Sequence, residues 1–264
     1  MRQIEKTYKK GIFRKLLIKL CRLLGYELID QADMSFTTSL DKENASIIGK
    51  KSITLPLGEI KIKRKIQSLD IILKTCTSVN LVTQNKKRIF EKDKSEYTFR
   101  TVNSLINSAH HLKKRFEKLT IKFTILDVNS PKTHIEKMLT RFNKEGFEVD
   151  HFPVKIDKNF KDNMSTTMAS IKHSFNLAKN CKDLIYFVED DYVHTKASIL
   201  EMLFSYEKFS SIFKKDVFLL PADYPYLYTK NNYTKIFLGH NKHWRLVDES
   251  LVTFMTSREI ILKN

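Results

Sequence analysis

The 264-residue chain carries 47 Lys and Arg against 30 Asp and Glu, a formal net charge of +17, and 42% of its residues are hydrophobic. That length is enough for one domain with a sizeable core plus an appendage. The three cysteines, Cys21, Cys76 and Cys181, are widely separated, which argues against a disulfide framework or paired-cysteine zinc site and points to a reducing compartment.

In chain order, the first predicted element is an amphipathic helix over residues 11–25, closed by Gly25 as a C-cap. Ile12, Phe13, Leu16, Leu17, Leu20, Leu23 and Leu24 form its apolar face, flanked or opposed by Arg14, Lys15, Lys19 and Arg22. From Met1 to Arg22 eight basic residues face Glu5 alone, a net +7 of the total +17. No apolar run is long enough to span a bilayer and no cleavable secretory signal is evident, so the expectation is a peripheral anchor on the anionic cytoplasmic leaflet. Residues 30–44 are polar and read as a linker, and residues 52–63 alternate around Pro56-Leu57-Gly58 as a small β-hairpin. The expected division is therefore a membrane-associating helix at 1–29, a linker and hairpin at 30–67, and a main domain at 68–264.

The main domain alternates strands with helices. Ser68–Thr75 reads as a strand, Glu96–Leu112 as a helix, and Ile121–Asp127 as a second strand ending in Asp127-Val-Asn-Ser130 turn chemistry. Pro131 suits the first turn of a helix bearing Ile135, Met138, Leu139 and Phe142 at helical spacing. A short strand over Phe147–Pro153 follows, then a helix over Met164–Lys179 with Met168, Ile171, Phe175 and Ala178 on one face. Such alternation indicates an α/β fold with a mostly parallel sheet covered on both sides.

The most informative stretch is Asp183–His194. An apolar run, Leu184–Val188, reads as a buried strand that delivers Glu189, Asp190 and Asp191 at its C-terminal end. Ligands bind at that end in open α/β sheets. Carboxylates gathered on one side without a cation would repel, and a hard divalent ion such as Mg²⁺ or Mn²⁺, shared with the phosphates of a substrate, resolves the repulsion.

With this order of elements, residues 68–262 resemble the GT-A class of nucleotide-sugar glycosyltransferases, a Rossmann-like fold. The resemblance implies that the first strand ends beside the nucleotide, at Lys74, Thr75 and Cys76, and that Asp127 binds the base or ribose. Glu189-Asp190-Asp191 takes the place of the DxD metal motif and is similar to the Glu-Asp-Asp variant of the N-acetylglucosaminyltransferases. On that basis Asp191 is the first metal ligand, with Glu189 and Asp190 facing the sugar or supporting the site. The glycine-containing Arg-Asn segment that often precedes the metal strand is replaced here by Asn163-Met-Ser-Thr-Thr-Met-Ala-Ser170.

A base for an inverting transfer must reach the acceptor hydroxyl directly or through one water. In the class it commonly follows the segment resembled here by residues 252–261, and the sequence runs to Asn264. The candidates within the chain lie between Pro221, which follows a strand read over Asp216–Leu220, and Glu249: Asp248 and Glu249 first, then Asp223 among Tyr224, Tyr226 and Tyr228. A histidine near this point completes the metal shell in some relatives of the class, which singles out His240 or His243. The expected activity is metal-dependent transfer of a sugar from a nucleotide diphosphate to a hydroxyl of a cell-surface glycan or glycolipid. The alternatives are a non-catalytic protein of the same fold that binds a sugar nucleotide or glycan, and a nucleic-acid-binding protein. The last is disfavoured because the remaining +10 is diffuse, without an arginine-rich tract. Neither a P-loop nor a GxGxxG fingerprint is present.

Overall fold

The computed structural model describes residues 12–26, 62–78, 92–154, 163–224, 228, 234–249 and 251–263. The chain divides into two compact units, residues 1–60 and 61–264. In the first, helix α1 (Ile12–Leu23) carries the expected amphipathic pattern. It ends in a Schellman motif, with Gly25 at φ +82° and the Tyr26 N–H donating to the Cys21 carbonyl at 2.8 Å. The linker expected at 30–44 and all of the expected hairpin except Ile62 and Lys63 lie outside the described residues.

The second unit contains β1 (Ser68–Thr75), α2 (Lys94–Lys113), β2 (Thr120–Asp127), α3 (Lys132–Lys144), β3 (Glu148–Pro153) and α4 (Asn163–Ala178). It continues through β4 (Leu184–Glu189), α5 (Ser198–Phe213), a hairpin of β5 (Ile236–Leu238) and β6 (His243–Arg245), β7 (Phe254–Ser257) and α6 (Arg258–Lys263). The five-stranded sheet has the order β3-β2-β1-β4-β7; β1 to β4 are parallel and β7 runs antiparallel beside β4. This is the mostly parallel α/β architecture expected from the alternation of elements.

Central strands β1 and β4 are covered on both faces, which is why they read as continuous apolar runs rather than alternating ones. Leu69, Ile71, Leu73, Tyr186 and Val188 pack with Leu105, Phe142 and Tyr206 from α2, α3 and α5 on one side. Ile72, Ile185 and Phe187 pack with Ala178 of α4 and Ile261 of α6 on the other. Edge strand β3 is largely exposed, and Lys122 pairs with both Glu148 and Asp150 at 2.8 Å. Charge along an edge strand discourages pairing with another chain.

The structure departs from the sequence reading at four places. Residues 62–67 belong with the α/β unit rather than with a linker: Arg64 pairs with Asp183 and with Asp216 at 3.1 Å, and the Ile66 N–H donates to Glu207 at 2.9 Å. Helix α4 buries only part of its expected face: Ala178 is buried and Phe175 packs against the core, but Met168 is 56% exposed. Ser170 and Ser174 also turn inward; their hydroxyls donate to the carbonyls of Thr167 and Ile171, so they enter the interior already paired. The stretch 216–220, which follows the pattern of a strand, makes only the Leu219–Met255 bridge. Helix α5 has no counterpart among the sequence expectations.

Candidate functional site

In a sheet of this order the connections leave β1 and β4 in opposite directions, which opens a crevice at their C-terminal ends. β1 ends at Thr75 and β4 at Glu189, with Lys74 and Glu189 in register as neighbours. Five tethers converge around this point, each tying down a different segment.

The first joins β1 to β2. Thr75 Oγ1 donates to Asp127 Oδ1 at 2.7 Å, and the Ser130 N–H donates to Asp127 Oδ2 at 2.9 Å. Asp127 is thus buried and closes the turn anticipated from Asp-Val-Asn-Ser, with Asn129 in the left-handed region at φ 62°. The second passes from β1 to α3: the Thr77 N–H donates to Ser130 Oγ at 2.9 Å, and Thr77 Oγ1 lies 2.9 Å from His134 Nδ1. Asp127, Asn129, Ser130, His151 and Pro153 line part of a cleft of about 780 Å³ that opens beside α3. Its size is that of a small-molecule site, yet it includes none of residues 189–191. The chemistry therefore points to the β1/β4 crevice, and the cleft contributes only the Asp127 side.

The third tether consumes Asp190. Its carboxylate is buried and receives the Lys94 ammonium at 2.6 Å, the Thr98 hydroxyl at 3.0 Å and the Cys76 N–H at 3.1 Å. Burial pushes its pKa up, opposed by Lys94. All the donors come from protein, so of the two expected roles, facing the sugar or supporting the site, these contacts give Asp190 support of the β1–β4–α2 junction. The strand ends at Glu189, and strict alternation of side chains stops there as well.

Glu189 forms the fourth. It is partly buried, its Oε1 3.8 Å from Lys74 Nζ, and its Oε2 accepts from Thr253 Oγ1 at 3.4 Å. Burial raises its pKa, Lys74 opposes the rise, and Asp191 and Asp190 add to it. The acidic strand end is therefore not without cations, contrary to the premise drawn from sequence: Lys94 pairs with Asp190, and Lys74 acts on Glu189, Asp190 and Asp191 together. Asp191 is the exposed member of the triplet.

The fifth joins the turn after β4 to the segment at 221–224, through Tyr192 Oη and Tyr224 Oη 2.6 Å apart. The neighbouring Asp223 accepts from Arg245 at 2.9 Å and from the Tyr228 hydroxyl, and Arg245 lies 4.2 Å from the centroid of the Tyr228 ring. The Tyr228 hydrogen bond, together with Arg245, holds Asp223 below the usual carboxylate range, which makes it a weak base. Asp248 and Glu249 are exposed on the stretch after β6. Because Thr253 touches Glu189, Glu249 lies within about 14 Å of the Thr253 Cα by chain length alone.

His240 does not join the carboxylates. Its ring stacks on Phe204 of α5 with centroids 4.3 Å apart, and its backbone N–H donates to Glu201 Oε1 at 3.0 Å. Among the described residues no group of three or more His, Cys, Asp or Glu is placed to hold a metal ion, so Asp191, Glu189 and His240 do not form a preassembled cage. The β5–β6 turn is organised around Glu201, which also accepts from the Asn241 N–H at 2.7 Å and from Trp244 Nε1 at 3.1 Å.

Sequence reasoning missed Lys94, Thr98 and Thr253. For Lys94 a signal existed. A cation at the first position of a helix opposes the helix dipole and calls for a carboxylate partner. No protein-family model matches the chain, and no curated protein matches it.

Proposed function

We propose that the chain is a nucleotide-sugar-dependent glycosyltransferase of the GT-A type, acting on a hydroxyl of a glycan or glycolipid acceptor. The observation that carries this reading is the convergence at one switch point of Asp127 from β2, Glu189 and Asp191 from β4, and the tethered segments at 221–224 and 251–253.

The residues fit a Mg²⁺ or Mn²⁺ ion held jointly by protein and substrate. Mg²⁺ is usually bound by one or two carboxylates plus substrate phosphates, and Asp191 with Glu189 supplies that number. Such an ion neutralises a diphosphate leaving group. Asp127 and Thr75 define the nucleoside end of the crevice, and Asp190 with Lys94 fixes the turn that presents Asp191. In the transfer, the bond between the sugar carbon and the diphosphate oxygen breaks with its electron pair on the oxygen. The acceptor oxygen bonds to that carbon, and its proton passes to a base. Asp248 or Glu249, exposed on the stretch after β6, takes that role in preference to Asp223, which Tyr228 and Arg245 hold below the usual carboxylate range and so make a weaker base.

A binding protein of the same fold is the second reading, favoured by the two lysines that already offset Glu189 and Asp190. Thermal shift against nucleotide diphosphates and nucleotide sugars, with Mn²⁺ and with EDTA, tests donor binding, since a ligand of the folded state raises Tm. The expected result is a Mn²⁺-dependent shift with one nucleotide class, lost in Asp191→Asn, plus slow hydrolysis of that donor. A shift without hydrolysis or transfer assigns a binding role, and no shift with any donor overturns the proposal.

A further inference from the structure

We propose that α1 is a monotopic docking helix that lies in the interface of an anionic lipid bilayer. Ile12, Phe13, Leu16, Leu20, Leu23 and Leu24 are between 55% and 81% exposed. That is a large apolar face to leave in water, since removing such side chains from water is favourable. At 100° per residue these positions and Leu17 occupy an arc of about 140°, and Arg14, Lys15, Lys19 and Arg22 fall in the opposite arc. Only Ile18 and Cys21 interrupt the division.

Length fixes the mode of contact. Twelve residues make a helix about 18 Å long, short of the roughly 30 Å hydrocarbon core, and among the described residues no helix is long and apolar enough to cross a membrane. The helix can therefore lie in the plane of the interface but cannot span it. Charge fixes the surface. No acidic residue occurs between Glu5 and Glu27, an interval holding Lys6, Lys9, Lys10, Arg14, Lys15, Lys19 and Arg22. Long basic side chains beside an apolar face can lay their stems along it and carry their charge to the phosphate level. A row of cations with no intervening carboxylate complements an anionic leaflet, where each basic residue adds about a factor of five in partitioning.

The test is flotation of the full chain with vesicles of equimolar phosphatidylglycerol and phosphatidylcholine, and with phosphatidylcholine alone, without any donor present. The expected result is binding to the anionic vesicles that falls with salt. Lys15→Gln with Lys19→Gln should weaken it by roughly 30-fold, and Leu16→Glu with Leu20→Glu should abolish it. An unchanged cooperative melt, followed by the fluorescence of Trp244, shows that the α/β unit remains folded in each variant. Equal binding to neutral vesicles, or binding indifferent to the leucine variant, overturns the proposal. So does concentration-dependent self-association that the leucine variant removes while vesicles bind nothing, which would give the face to a second copy of the chain. Because donors are absent, these outcomes do not depend on the catalytic reading.

Discussion

The Lys94 ammonium lies 2.6 Å from Asp190 Oδ1, joining the first residue of α2 to the turn that follows β4. Both partners are largely removed from water, so each makes the burial of the other tolerable. Lys94→Met leaves a buried carboxylate without its cation and should destabilise the fold by about 3 kcal/mol in denaturant unfolding. Asp190→Asn with Lys94→Met should cost clearly less than the two single losses added together. Additive losses would show that the pair is not coupled and would remove the staple from the account of how Asp191 is presented.

Gly239 has a steric role. A Cβ placed there meets Trp244 Nε1, Glu201 Oε1 and Ser205 Oγ well inside van der Waals contact. These are the groups that hold the β5–β6 turn to α5, so Gly239→Ala must push the turn away. A loss of about 2 kcal/mol is expected, with a red shift of the emission of Trp244, the chain's only tryptophan. An unchanged spectrum and melting curve would show that the turn yields without losing the Glu201 contacts.

His194 sets an acid limit on stability. Burial lowers its pKa from 6.5 to about 4. Its Nδ1 is 3.0 Å from the Tyr192 carbonyl and its Nε2 2.7 Å from Tyr186 Oη, which suits a neutral ring donating from Nδ1 and accepting at Nε2. The unfolded chain takes up the proton first, so this contribution is present above pH 6.5 and is lost as the pH falls toward about 4. The loss amounts to about 3 kcal/mol. His194→Gln should flatten that limb of a stability–pH curve, even if it lowers the plateau; an unaltered slope would assign the acid sensitivity elsewhere.

The fold was legible where a physical pattern had one dominant cause. β1 and β4 announce themselves because strands covered on both faces are mainly apolar, β2 because buried Ile121, Phe123 and Ile125 alternate with half-buried Lys122 and Thr124, and α3 because Ile135, Met138 and Phe142 repeat with the helix. α4 was read only in part: Ala178 and Phe175 carry its hydrophobic signal, but Ser170 and Ser174 are also buried, and hydroxyls that pair with their own helix leave no hydrophobic trace. The site was half legible. The carboxylates at the end of β4 stand out in the sequence, but their environments depend on contacts from 64 to 114 residues away: Thr253 to Glu189, Lys94 to Asp190 and Cys76 to Asp190. No local pattern encodes which of three adjacent acids is buried and paired. Asp223 illustrates the same limit, since its partner Arg245 lies 22 residues on.

The acidic triplet should separate by role under substitution. Asp191 is exposed and serves the donor in the proposed reaction, so Asp191→Asn should leave Tm unchanged and weaken Mn²⁺-dependent donor binding at least tenfold. Asp190→Asn should do the reverse, lowering Tm with a smaller effect on binding. Glu189 lies between these cases and adds a pH signature. Burial raises its pKa above the ordinary 4.5, and a carboxylate must lose its proton to hold a metal. Donor affinity in Mn²⁺ should therefore begin to fall with acidification while the pH is still above 4.5, and Glu189→Gln should remove that dependence. The sign for stability is opposite: the raised pKa favours the folded state at low pH, and that advantage is lost as the pH rises through the folded value. Titrating donor binding and unfolding on the same samples separates the two effects. If acid weakens binding only in parallel with the melt, Glu189 has no part in holding the ion, and Asp191 is left as the sole carboxylate of the triplet available to it.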